Sequence, residues 1–182
     1  MGLKPEKLAE IEAVTLGHYN QNAEAFWHGT KGYDVTQNYA AFLAPFPKDK
    51  KLDILDLGCG PGRDVNYFQS LGHRPVGLDG SEAFCEMARK LTGCEILQQT
   101  YLNLDLPNLS FDGIFANAAL FHVPSQELPS VLDDLHKTLR PSGSCSSPTH
   151  GVMARVGLVN GTGITCRLKP ASVFWRKRAL KC

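Results

Sequence analysis

Three glycines at alternate positions follow an aspartate in the stretch LDILDLGCGPGRD: Asp56, then Gly58, Gly60 and Gly62. Glycine in regular structure costs about 0.5–1 kcal/mol relative to alanine, so a run of three after an apolar segment needs an offsetting gain. That gain is close approach, because a backbone without Cβ can touch a ligand and adopt positive φ. A carboxylate directly before such a turn repels a pyrophosphate and suits a ligand that carries positive charge. A second acid, Asp79, ends the next apolar run, PVGLD, where a carboxylate is placed to accept from ribose hydroxyls. Two phosphate cradles do not fit. The dinucleotide pattern G-x-G-x-x-G wants glycine where Arg63 stands, and the P-loop wants a Lys-Ser/Thr pair that is absent. Arg63 and Asp56 therefore disfavour a nicotinamide-dependent oxidoreductase. Ribose and a cation without phosphates point to S-adenosylmethionine (SAM).

The elements that must hold these residues can be read from periodicity. Lys4 to about Leu16 has helical composition, and GHYNQNAEAFWHGTKGYD reads as a short helix and a loop. Val35, Tyr39, Phe42 and Leu43 recur at helical spacing and stop near Pro45 and Pro47. KLDILDLG is then a short, mostly apolar strand of the kind buried on both faces. A helix through Val65, Phe68 and Leu71, a strand RPVGLD, a helix capped by Ser81, and strand candidates CEILQQTYL and SFDGIFANAALF follow. A further helix starts near Ser125, with Pro129 in its first turn and Pro141 at its end. This alternation predicts an α/β fold: a Rossmann-like, mostly parallel sheet with helices on both faces. Its ligand crevice lies outside the carboxyl ends of the strands, where strand order reverses. After Pro141 the pattern fades, and SGSCSSPTHG, in the place of a fifth strand, has no branched aliphatic residue.

These segments together resemble the class I SAM-dependent methyltransferases of small-molecule type, from about Tyr19 to Pro141. LDLGCGPG resembles that family's first motif and PVGLDGSEAFCEMA its second-strand motif. LPNLSFDGIFANAALFHV resembles the fourth-strand region and LHKTLRPSG the helix after it. The N-terminal YNQNAEAFWHGTKGYDVTQNYAAFL is similar to the cap segment of small-molecule members. The resemblance implies that Asp56 and the backbone at Gly58, Gly60 and Gly62 hold the methionine half of SAM, and that Asp79 binds the ribose. Thr100 stands where the family usually has an acid facing the adenine amino group, with Tyr101 beside the ring. Asn117 would lie near the methionine amino group or sulfonium, and Leu120 to His122 beside the transferred methyl. His122 is the candidate base, since histidine titrates near neutrality. Tyr19, Trp27, Tyr33 and Tyr39 are candidates for the acceptor pocket, and packing residues are the plainer reading of each. Asp112 reads as a structural residue that opens a strand.

Three regions follow: a helical cap over residues 1–46, a SAM-binding core over 47–143, and a divergent basic tail over 144–182. Residues 1–134 hold 18 acids against 10 Lys/Arg, a balance of −8; residues 135–182 hold no acid and nine Lys/Arg, +9. Family members continue with a fifth strand, a helix and a two-strand hairpin. Here the tail reads instead as a changed reading frame or an alternative exon, with the last strands incomplete and an open sheet edge available for self-association. The expected function is methyl transfer to a small-molecule acceptor; the alternative is a truncated, inactive SAM-binding protein. A nucleic-acid partner is disfavoured, because aromatic interleaving near the basic RKRALK is limited to Phe174 and Trp175. No run approaches the roughly 18 apolar residues of a membrane span. The N-terminus is too charged for a secretory signal, and Glu6 spoils a myristoylation motif. Six cysteines without a CxxC pair predict reduced thiols in a cytoplasmic protein and no metal site.

Overall fold

The computed structural model describes residues 3–149, 152–158 and 164–168, with side chains to Ser147. The basic segment at 176–181 and the aromatic pair Phe174 and Trp175 lie outside the described residues. The elements in chain order are α1 (Pro5–Thr30), α2 (Thr36–Leu43), β1 (Asp53–Leu57), α3 (Arg63–Ser70), β2 (Arg74–Asp79), α4 (Glu82–Thr92) and β3 (Ile96–Gln98). Then come β4 (Phe111–Phe115), a 3₁₀ turn (Leu120–His122), α5 (Leu128–Thr138), β5 (Leu139–Thr149), β6 (Val152–Leu158) and β7 (Ile164–Leu168).

The sheet runs β3-β2-β1-β4-β5-β6-β7. The first five strands are parallel, and β6 and β7 continue it antiparallel. Strand order reverses between β1 and β4, so the carboxyl ends of those strands open onto the crevice. Alternation along β1 divides the core. Ile54 meets Phe42 of α2, Phe68 of α3 and Phe115 on one face. Leu55 and Leu57 meet Val131 and Leu135 of α5 on the other. Each such burial is worth about 1.5–3 kcal/mol, and together they fix the strand that runs into the glycine turn at the crevice.

Two elements depart from their sequence reading. Helix α1 continues to Thr30, beyond the expected stop near Leu16. Its one non-helical residue is Asn22 (φ −116°, ψ 16°), whose Nδ2 donates to the His18 carbonyl at 2.8 Å. That side chain competes with the helical ladder and bends the helix without ending it. The second departure is β5. Helix α5 ends at Thr138, so RPSG belongs to a strand that pairs Phe111 with Leu139, then Gly113 with Ser144, with a bulge between. Only two residues separate β5 from β6, so no helix intervenes. No helix among the described residues is long and apolar enough to cross a membrane.

An ionic cluster ties the amino ends of the strands together and gives Asp112 the structural role its position suggested. Asp112 accepts from Lys50 Nζ (2.9 Å), the Asp53 amide (3.0 Å) and Arg140 (3.1 Å). Asp53 accepts from Arg74 and from Arg140, both at 2.5 Å. Burial pushes the Asp112 carboxyl up, but the Asp53 amide and Lys50 outweigh it and hold it below its ordinary value. Arg74 holds Asp53 low against its own burial. A depressed folded-state pKa contributes stability that is complete above the unfolded value and is lost as pH falls through the folded one. Asp112→Asn combined with Asp53→Asn should therefore flatten the fall of unfolding free energy below about pH 4. Urea unfolding at a series of pH values measures that slope, and an unchanged slope contradicts the assignment.

Candidate functional site

A cavity of about 370 Å³ opens at the carboxyl ends of β1, β2 and β4, between the glycine turn, α1 and the loop over residues 117–122. It is large enough for a small ligand. The turn is folded back on β2, with the amides of Gly58 and Cys59 donating to the Leu78 carbonyl at 2.7 and 3.0 Å. Gly58 has φ +71°, and a Cβ there would stand 2.4 Å from the Tyr101 hydroxyl and 2.7 Å from the Ala119 Cβ. Bare backbone is thus obligatory at the cavity wall. Gly62 serves another purpose. At φ +96° it caps α3, and a Cβ would meet Ala88 of α4 at 2.9 Å, so this glycine sets helix packing and does not line the cavity.

Asp79 ends β2 and lines the cavity. Its Oδ2 accepts from the Gly60 amide at 3.0 Å and its Oδ1 from the Ser81 amide at 2.9 Å. Burial raises its pKa, and those amides oppose the rise. Ser81 also caps α4, its Oγ accepting from the Phe84 amide at 3.2 Å, so one turn seats both the acid and the helix. Asp56 lies behind the turn, 1% exposed. Burial first, then Asp64, push its carboxyl well above the usual range. Its Oδ2 is the one buried side-chain oxygen without a hydrogen-bond partner among the described residues.

Asp64 is the residue that sequence reasoning missed. It lines the cavity from the first turn of α3. It accepts from Arg63 Nε (2.6 Å) and NH2 (3.2 Å), the Tyr39 hydroxyl (2.5 Å) and Asn117 Nδ2 (3.2 Å). An acid at a helix N-terminus was the available signal. Asn117 faces the cavity and accepts from Asn38 Nδ2 at 3.3 Å. Tyr39 does not line the cavity. It is buried, stacked on Tyr67 at 3.8 Å, with its hydroxyl pushed up by burial and by Asp64.

Tyr19, Trp27 and Tyr33 do line the cavity, as does His122. The Tyr19 hydroxyl lies 3.1 Å from His122 Nε2, which joins α1 to the 3₁₀ turn. Burial lowers the His122 pKa and favours the neutral ring; burial and then Asp79 raise that of Tyr19. Helix α1 is pinned over the crevice by Asn20 Oδ1, which accepts from Ser81 Oγ (2.7 Å) and the Ala83 amide (3.2 Å). Tyr101 lines both this cavity and a smaller one of about 50 Å³, and Thr100 lines only the smaller. The residues at the wall fit SAM on their own chemistry: Asp79, Asp64 and a bare glycine backbone suit a sulfonium nucleoside and offer no phosphate cradle, whereas Asp56, expected to hold the methionine half, is buried behind the turn and does not line the cavity.

A model of the methyltransferase domain matches residues 54–143. The malonyl-[acyl-carrier protein] O-methyltransferase of Pectobacterium atrosepticum is 30% identical over 171 residues, covering 86% of this chain and 67% of the relative. A SAM-dependent methyltransferase of known structure from Mesorhizobium loti is 30% identical, with a TM-score of 0.53 over 60% of this chain and 52% of the other. The 1,6-didemethyltoxoflavin-N1-methyltransferase of Burkholderia thailandensis, solved with S-adenosylhomocysteine, reaches a TM-score of 0.64 at 20% identity, covering 86% and 71% of the two chains; at that identity the likeness concerns the fold alone. The chain spans 52% and 50% of the length of two further curated relatives, about half. Sheet order, glycine turn and sequence likeness agree: the chain belongs to the class I SAM-dependent methyltransferase family, whose cofactor is SAM.

Proposed function

We propose that this chain transfers a methyl group from SAM to a small-molecule acceptor by in-line displacement. The observation that carries the reading is Asp79, fixed by the Gly60 and Ser81 amides at the wall of a cavity floored by bare glycine backbone. SAM, when bound, supplies an electrophilic methyl on a sulfonium sulfur that is already a good leaving group. The protein's task is then alignment and exclusion of water, worth about 7–11 kcal/mol in favourable cases. Asp79 would hold the ribose hydroxyls. Gly58 and Gly60 would hold the methionine half, with Asp56 acting from behind the turn and not by contact; Asn117 would orient its amino group. Thr100 and Tyr101 would flank the adenine. Tyr19, Trp27 and Tyr33 would wall the acceptor, and His122 would take up a proton where the acceptor sheds one. Helix α1 would act as the cap. A cytosolic location belongs to the same proposal, supported by the thiols of Cys59, Cys85 and Cys94. So does association through a sheet edge, β7 having one neighbour among the described strands; sedimentation velocity giving a single monomeric species would reject it.

The close succession of β5 and β6, where family members place a helix, favours a second reading: a SAM-binding protein without turnover. Incubation with SAM and a pool of small acceptors, followed by mass spectrometry for S-adenosylhomocysteine, separates the two. Acceptor-dependent product is the expected result. Binding of SAM without product in any pool supports the second reading.

A further inference from the structure

The cofactor's base meets an acid carried by the cap helix. Resting on the SAM reading above, we propose that Glu12 of α1 accepts a hydrogen bond from the adenine amino group and so selects an adenine nucleoside over its 6-oxo analogue.

Sheet order gives the nucleoside its direction. The glycine turn follows β1, Asp79 ends β2, and Thr100 to Leu102 follow β3, the next strand outward. A ribose held at Asp79, with its methionine end over the glycine turn, therefore sends its base toward β3. The cavity of about 50 Å³ lies there, walled by Thr100, Tyr101 and Leu102 and, from α1, by Leu8, Ile11 and Glu12. It shares Thr15, Leu16, Tyr101 and His122 with the large cavity, so one continues into the other. Leu16 crosses the join: a Cβ on Gly80, the residue after Asp79, would stand 2.7 Å from Leu16 Cδ2 and 3.6 Å from Thr100 Cγ2.

An amino group taken out of water needs an acceptor. Glu12 is half-buried against apolar neighbours, and its carboxylate has no hydrogen bond or ion pair among the described residues. The other polar side chains of the small cavity are engaged or weaker. Thr15 Oγ1 donates to the Ile11 carbonyl at 2.9 Å, and His122 is held by Tyr19. Tyr101 turns its hydroxyl to Gly58. Thr100 offers a neutral hydroxyl, whereas hydrogen bonds to an ionised group are roughly twice as strong. The carboxylate that the β3 loop lacks at Thr100 is thus carried by the cap. Seating the base then ties α1 down at a third point, beside Asn20 and Tyr19.

Hypoxanthine has a carbonyl oxygen where adenine has the amino group, so a carboxylate there sets an acceptor against an acceptor. Glutamine can present its carbonyl oxygen to adenine or its NH2 to hypoxanthine.

Calorimetric titration of the full chain with S-adenosylhomocysteine and with S-inosylhomocysteine reads the preference. The adenine form should bind at least about tenfold more tightly, which corresponds to about 1.4 kcal/mol. Glu12→Gln should narrow that preference to about threefold or less, chiefly by admitting the inosine form. Glu12→Ala should weaken the adenine form about tenfold, and adding Thr100→Asp, which returns a carboxylate to the cavity from its other wall, should recover most of the loss. Looser packing weakens both ligands alike, so the ratio separates recognition of the base from a structural effect. An unchanged ratio in Glu12→Gln overturns the proposal, as does equal binding of the two ligands by the unaltered chain; in both cases the SAM reading stands. Failure of the unaltered chain to bind S-adenosylhomocysteine overturns the SAM reading, and the proposal falls with it.

Discussion

Asp79→Ala should weaken S-adenosylhomocysteine binding by at least about 100-fold, because hydrogen bonds to a charged group are worth about 1.5–3 kcal/mol each and a ribose offers two. The effect is compounded by architecture. Asp79 accepts from the Gly60 and Ser81 amides, so the same carboxylate that meets the ligand also fixes the turn that must lie bare beneath it. Alanine strands both donors and loosens the wall. Asp79→Asn keeps one acceptor oxygen in nearly the same volume, and should fall between the alanine variant and the parent. Calorimetry on chains checked for folding by circular dichroism reads the difference. An affinity within threefold of the parent for Asp79→Ala removes Asp79 from the ligand's surroundings.

Asp64→Ala should cost about 3 kcal/mol of stability, the lower end of the range for breaking a buried ion pair, since the Arg63 side chain is 25% exposed. For a chain of this size that is a fall in Tm of roughly 6–12 °C. The loss arises from what is left behind: a guanidinium without its partner, and the Tyr39 hydroxyl and Asn117 amide without an acceptor. Arg63→Met in the same chain should then restore part of the loss, because the stranded charge goes with it. Denaturant unfolding of the two single variants and the double variant closes the cycle. A loss below about 1 kcal/mol for Asp64→Ala, or strictly additive effects, contradicts the buried network.

These two acids show where the sequence was legible and where it was not. Asp79 and the glycine turn could be read because a strand's end, an acid and a bare backbone are adjacent in the chain, and the sheet's geometry then dictates what lies above them. Asp64 could not, because its importance comes from Tyr39 and Asn117, residues distant in sequence that only the fold brings to it. Tyr39 took the plainer of its two readings, packing, and left the acceptor pocket for the matching reason. Its spacing with Val35, Phe42 and Leu43 marks a helix face, and a helix face is core before it is pocket. Gly62 looked like a third ligand glycine, but the approach of α3 to α4 explains it. The extent of α1 was hidden by its polar residues. What holds it is contact of Tyr19 and Phe26 with Phe84, and of Asn20 with Ser81, none of which is local. The strands after Pro141 lack apolar alternation, and β5 gains its order from pairing with β4.

The measurement that meets the account most directly is a crystal structure of the chain with S-adenosylhomocysteine. The nucleoside should lie against Gly58 and Gly60, its ribose hydroxyls within hydrogen-bond reach of Asp79 and its base beside Tyr101. A nucleoside seated elsewhere, or a cavity in which Asp79 makes no contact with the ribose, would contradict it.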